Sequence, residues 1–159
     1  MKYLHLITIL GLFLFFGNQA KAQWFNGGNI GFNFNNGGTT FDASPIIGYR
    51  IKKIEAGTAP FFTYHMPKHG DNQYQFGNRL FTKYHVGKGL FLHAEFETAN
   101  YEISPEQGRK WTIGLPVGAG YEQRIKKIRI HASVLYDLLL ETGSPKENPI
   151  YRGGIVYDF

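Results

Sequence analysis

Three groups of side chains have types and spacings that could do chemistry. Glu95 and Glu97 lie two apart in "HAEFE", so on an extended strand both carboxylates project from one face. Such a pair can divide acid and base roles or hold a cation. His65 and His69 straddle "MPK" and could contribute two imidazoles to a metal site. His131-Ala132-Ser133 sets a base and a hydroxyl nucleophile on one strand face. Each group also has a plainer role. The glutamates can neutralise neighbouring Arg and Lys side chains. The histidine pair lacks a Cys or an acidic neighbour at ligand spacing. No suitably placed acid is evident to orient His131. The sequence therefore assigns no catalytic residue, cofactor or metal ligand, and a non-enzymatic protein is expected.

The elements that position these residues are written in a period of two. Eight alternating segments stand out, at about 28–35, 40–51, 54–65, 74–86, 89–101, 111–125, 128–140 and 150–159. In the seventh, Ile128, Ile130, Ala132, Val134, Tyr136, Leu138 and Leu140 share one face. Arg129, His131, Ser133, Leu135, Asp137 and Leu139 share the other. No long helical period occurs. Beyond the first residues there is also no apolar run of the ~20 residues that a membrane-spanning helix requires.

The chain of 159 residues suits one domain. Its opening has the three parts of a cleaved secretory signal: a basic "MKYLH", an apolar "LITILGLFLFF", and "GNQAKA" ending in Ala-x-Ala. Residues 1–22 are expected to be removed and residues 23–159 to form the barrel domain. Without Lys2 and Lys21 the remainder carries 15 basic and 12 acidic residues, a net charge of +3. That mild balance, together with export, argues against nucleic acid as a partner. The absence of Cys leaves backbone pairing and packing to hold an exported fold together.

Connection lengths alternate. "RIKKIE" (50–55) and "RIKKIR" (124–129) each wrap a two-residue Lys-Lys turn, and "GK" (87–88) joins the fourth and fifth segments. Between these come the longer "MPKHGDNQ", "SPEQGRK" and "ETGSPKENP", with an intermediate "NNGGTT" first. Tight turns on one rim and long loops on the other are what an outer-membrane barrel shows. Tyr49, Tyr84, Tyr121, Tyr157 and Phe159 fall near the short-turn rim; Tyr64, Tyr74, Trp111, Tyr136 and Tyr151 fall toward the loops. These are the two aromatic girdles of a membrane span. Flanking each tight turn, Ile51 and Ile54, and Ile125 and Ile128, should point to lipid, with Arg50 facing Glu55 inside. Arg124 should face Arg129 and need an offsetting acid such as Glu122. Pro45, Pro60 and Pro116 should sit at bulges or unpaired positions.

The stretches "FDASPIIGYR", "GLFLHAEFE", "ASVLYDLL" and "NPIYRGGIVYDF" together resemble the small outer-membrane β-barrel proteins common in Bacteroidetes-type Gram-negative bacteria. The resemblance spans nearly all of the chain after residue 22. It implies an all-β, eight-stranded antiparallel up-and-down transmembrane barrel in the outer membrane, usually without a defined biochemical activity. The last strand, ending in Phe159, resembles the one that barrel-assembly machinery recognises. His131-x-Ser133 is similar to the dyad of outer-membrane lipid A deacylases, but there the dyad faces the membrane, whereas alternation here puts both residues inside.

With the apolar face outward, the lumen receives a charge network of Asp42, Arg50, Glu55, Arg79, Lys83, His93, Glu95, Glu97, Glu122, Arg129, His131, Asp137 and Arg152, joined by His65 and Arg124. Phe61, Phe81, Phe91 and Leu135 would fill space beside them. Mixed signs in a barrel this narrow argue for a salt-bridged plug. The expected role is structural in the envelope, or interaction through loops 66–73, 102–110 and 141–149, with outer-membrane lipids as surroundings. The alternatives are a lipid-modifying enzyme using His131 and Ser133, a narrow transport pore, or a soluble exported barrel of opposite polarity.

Overall fold

The computed structural model describes residues 23–35, 38–70, 72–104, 108–140 and 148–159, without the side chains of 33–35 and 103–104. The expected signal segment 1–22 lies outside the described residues, as do 105–107 and 141–147 of the long loops. The strands are β1 (Gln23–Asn35), β2 (Gly38–Ile51), β3 (Ile54–Pro67), β4 (Gln73–Gly87), β5 (Leu90–Ser104), β6 (Gly108–Gly114), β7 (Pro116–Ile125), β8 (Ile128–Asp137) and β9 (Ile150–Asp158). β6 and β7 are two parts of one stave broken at Leu115, so eight staves form the wall. Each pairs antiparallel with its sequence neighbours, and β1 meets β9 from Phe25↔Asp158 to Ile30↔Gly153. The sheet is a closed eight-stranded antiparallel barrel. Closure removes the edges along most of the wall; among the described residues β6 is the exception, since it pairs with β5 alone.

Alternation sets the faces. Ile130 and Ile155 on the outer wall are 48% and 58% exposed, whereas Arg129 and Glu95 are 0% and 3% exposed. The wall is apolar outside and ionic within, the polarity of a membrane barrel.

The narrow interior imposes a second pattern that alternation does not express. The inward-pointing Phe, Leu, Ile and Val side chains have a glycine as a direct cross-strand partner: Phe25↔Gly48, Phe61↔Gly77, Phe81↔Gly57, Phe91↔Gly120, Leu135↔Gly118, and both Ile46 and Val156↔Gly27; the buried Tyr101, opposite Gln75, is the exception. A Cβ at Gly48 would run into the Phe25 ring, and one at Gly120 into the Phe91 ring. The missing side chain on one stave is the space filled by the ring from the next.

The prolines are accommodated without bulges. The β2–β3 ladder stops at Ala43↔Phe62 and resumes at Ile47↔Thr58 in the same register, which sets Pro45 opposite Pro60. Two residues without an N–H face one another, so one gap in one ladder absorbs both. Their outer ladders, Pro45↔Gly28 and Pro60↔Asn78, are intact. Pro116 opens β7 at the break, where the freed Leu115 N–H donates to Asp137 Oδ1 at 2.8 Å.

Some expected boundaries shift. β1 starts at Gln23 rather than 28, because adjacent Trp24 and Phe25 are both apolar although one points out and the other in, which hides the alternation. The sixth stave begins at Gly108 rather than 111. β8 ends at Asp137, so Leu139, expected inside, is 44% exposed beyond the strand. The third tight turn is Lys88-Gly89, not Gly87-Lys88, since a register shift between His85 and Gly87 moves it one residue on. Lys88 and Gly89 both take positive φ, 52° and 81°, as a type I′ hairpin requires. In the two Lys-Lys turns only the first residue does so, Lys52 at 54° and Lys126 at 58°.

Replacing Gly48 by Val should destabilise the barrel by about 1–3 kcal/mol through overpacking against Phe25. Adding Phe25→Ala should recover part of that loss. Urea titration of the heat-modifiable folded band would measure the coupling, and strict additivity of the two changes would contradict the ring-over-glycine arrangement.

Candidate functional site

The lumen gathers the charged side chains into two clusters. Toward the loops, Arg79 on β4 is held from three sides. Its Nε donates to Glu97 Oε2 at 2.8 Å, and its Nη atoms donate to Asp42 at 2.7 and 3.0 Å and to Ser44 Oγ at 3.3 Å. Its guanidinium also stacks 3.7 Å from the Phe61 ring centroid. Arg152 on β9 donates to Asp42 Oδ1 at 3.1 Å and Glu95 Oε2 at 3.0 Å, with Glu97 at 3.7 Å. Thr63 adds a hydroxyl to Asp42 at 2.7 Å. Glu95 and Glu97 are thus engaged by guanidiniums, and this geometry leaves them no independent acid–base pairing.

Toward the tight turns, Arg129 on β8 donates to Glu55 at 2.6 Å, Glu122 at 2.8 Å and Asp158 at 2.9 Å. Arg50 donates to Glu55 at 2.6 Å and to Glu122 at 3.3 Å. β8 and β3 lie four staves apart in a ring of eight, as do β2 and the stave containing β7. The Arg129–Glu55 and Arg50–Glu122 contacts therefore cross the full width of the barrel. Side chains from opposite walls meet at that level of the lumen.

Arg124 and Arg129 are cross-strand partners, and the expected Glu122 offsets Arg129, at 2.8 Å, but not Arg124. Asp158 takes both, accepting from Arg129 through Oδ1 and lying 2.8 Å from Arg124 through Oδ2. Glu122 is occupied with Arg129 and Arg50. Arg124 itself is half exposed at the rim, because the stave end lifts it clear of the lumen.

The remaining candidates sit nearby. Lys83 is buried with its ammonium 4.9 Å from the Phe91 centroid and 5.9 Å from that of Phe81. His93 stands edge-on to the same two rings and 3.3 Å from Glu95. His131 Nε2 contacts Asn29 Oδ1 at 2.8 Å. Ser133 is buried in the lumen, and its Oγ makes no hydrogen bond among the described residues, so no base–nucleophile contact joins it to His131. Asp137 acts on backbone, accepting from the N–H groups of Leu115 and Leu139. His65 pairs with Thr40 at 2.8 Å, while His69 is exposed in a loop.

Glu55, His85 and Glu122 place ligand-type atoms within 4.8 Å of one another. Arg50 and Arg129 hold the same carboxylates, so a dication there would meet two guanidiniums at contact range. Asp158, His85, Asn29, Ser44 and Thr63 belong to the lumenal network but were not singled out from the sequence. Strand parity puts them on the inner face; their partners depend on which staves face each other.

No family model matches the chain, and no curated protein matches it. Among solved structures, it is similar to one described as de novo design of transmembrane beta-barrels, at 14% identity and TM-score 0.45, over 86% of this chain and 95% of that one. It is also similar to Neisserial surface protein A (NspA), at 15% identity and TM-score 0.43, over 89% of this chain and 100% of that one.

Arg129→Met should destabilise the fold by about 3–5 kcal/mol, because it strands Glu55, Glu122 and Asp158 without their shared cation. Arg124→Gln, at the exposed rim, should change stability by less than about 1 kcal/mol. Chemical unfolding of both variants checks the contrast, and equal losses would contradict the lumenal assignment.

Proposed function

We propose that this protein is a non-enzymatic integral barrel of a Gram-negative outer membrane, closed by its own lumenal ion pairs. It serves the envelope as a structural element or presents its long-loop rim to a partner, within 66–73, 102–110 and 141–149, where 66–67, 73, 102–104 and 108–110 are strand ends. The observation that carries this is the pair of cross-lumen contacts, Arg129–Glu55 at 2.6 Å and Arg50–Glu122 at 3.3 Å, inside a wall whose outer face is apolar. A lumen filled from opposite sides favours a plug over a conduit, and an apolar belt favours lipid over water as the surrounding medium. Acyl chains of outer-membrane lipids would cover that belt, and barrel-assembly machinery would engage the strand ending in Phe159. The Bacteroidetes-type resemblance rests on the four sequence stretches that suggested it. The long-loop rim faces the cell exterior in this proposal, and the tight turns face the periplasm.

The chain has no Cys, so single replacements report orientation directly. His69→Cys should label on intact cells with a membrane-impermeant maleimide, and Lys88→Cys should label only after lysis. The protein should need detergent for extraction and show no unitary conductance in planar bilayers. Ser133→Ala should leave the lipid A profile unchanged by mass spectrometry. Detergent-free extraction would defeat the membrane assignment, steady conductance would defeat the plug, and an altered lipid A profile would defeat the non-enzymatic assignment.

A further inference from the structure

Lys52, Lys53, Lys88, Lys126 and Lys127 fill the three tight turns, and all five are exposed. The acids of the same barrel end point the other way. Glu55, Glu122 and Asp158 are buried and already engaged by arginines. Among the described residues of that rim, no exposed Asp or Glu side chain offsets the lysines.

Turn geometry does not call for lysine here. The first position of each turn adopts φ between 52° and 58°, where Gly, Asn or Asp is favoured and a long side chain is not. Lysine nevertheless occupies that position three times out of three, which points to a requirement for charge. The turns are also fixed in place: Lys53 O accepts from His85 N at 2.8 Å, Gly89 O from Glu122 N at 2.8 Å, and Lys127 O from Asp158 N at 2.9 Å. Just inside the rim, Trp24, Tyr49, Tyr84, Tyr121 and Tyr157 line the outer wall, with Trp24 and Tyr49 in edge contact at 5.0 Å. Lys127 Nζ lies 5.7 Å from the Tyr157 ring centroid, so its stem runs along the lipid-facing wall and its head group stands at the interface.

We propose that the tight-turn rim is a docking surface for the phosphate headgroups of anionic glycerophospholipids in the adjacent leaflet. The aromatic belt sets the depth of the barrel, and the anchored lysines hold ammonium groups at headgroup level. This rests on the membrane assignment made above and adds a lipid preference to it.

The test is native mass spectrometry of the folded protein with equimolar phosphatidylglycerol and phosphatidylcholine. The wild type should retain phosphatidylglycerol preferentially. Lys52→Asn with Lys53→Asn, Lys88→Asn, and Lys126→Asn with Lys127→Asn should each lower that preference, by about fivefold per lysine removed. Arginine at the same positions should preserve it. Heat-modifiable migration confirms that each variant is folded; should the five-fold variant fail to fold, the single-turn variants decide. Equal retention of the two lipids by the wild type, or a preference surviving removal of all five lysines, would overturn the proposal. Excess inorganic phosphate, matched against chloride for ionic strength, separates the anion sources. Survival of the preference supports a lipid headgroup, and its specific loss to phosphate would make the rim a free-anion site. Insertion into bilayers without lipid preference would sink this inference alone, whereas failure to insert into any bilayer would sink the membrane assignment beneath it.

Discussion

Arg129 and Glu55 meet at 2.6 Å from opposite walls, and the rest of the molecule is arranged around the need for such contacts. An eight-stave barrel is barely wider than the side chains it encloses. A charge that points inward has little water to solvate it and must find its counter-charge among the other staves. The interior answers with clusters in which guanidiniums are shared: Arg129 among Glu55, Glu122 and Asp158, Arg79 between Asp42 and Glu97, Arg152 between Asp42 and Glu95. Because several of these partners lie across the lumen, the same pairs that neutralise charge also tie the wall together.

The width constraint acts on apolar residues as well. Seven large apolar side chains enter the lumen opposite six glycines, Ile46 and Val156 sharing Gly27, so the volume demanded by one stave is released by its neighbour. Pro45 facing Pro60 follows the same economy, since two missing donors fall into a single gap. Polar satisfaction at the break in the sixth stave comes from Asp137, whose carboxylate takes the freed N–H of Leu115. Side chains from opposite walls thus meet inside the lumen.

The rims differ in what they offer. The tight turns are short, anchored to neighbouring staves by backbone hydrogen bonds and uniformly basic. On the opposite rim the connections after β3, β5 and β8 are longer, whereas β1 and β2 are joined through 36–37 alone. This asymmetry gives the barrel one end suited to a charged lipid surface and another suited to contact with other molecules.

Much of this was legible in the sequence. Period-two alternation gave the stave count, the alternation of short and long connections gave the up-and-down order, and "RIKKIE" placed Arg50 against Glu55 because a two-residue turn fixes its flanking pair. Local spacing sufficed because these features depend only on near neighbours. The true start of β1, the position of the third turn, and the use of Asp158 rather than Glu122 for Arg124 were not legible. Nor were the glycine opposite each lumenal Phe, the proline pair, or the contacts of Arg129 with Glu55 and Arg50 with Glu122. All of these depend on register and closure, which bring residues far apart in the chain to one level of the tube. The sequence by itself determined which strand residues share a face, since parity along a strand is local. Only the tertiary structure decided which charges meet, because a partner across the lumen is chosen by how the sheet closes.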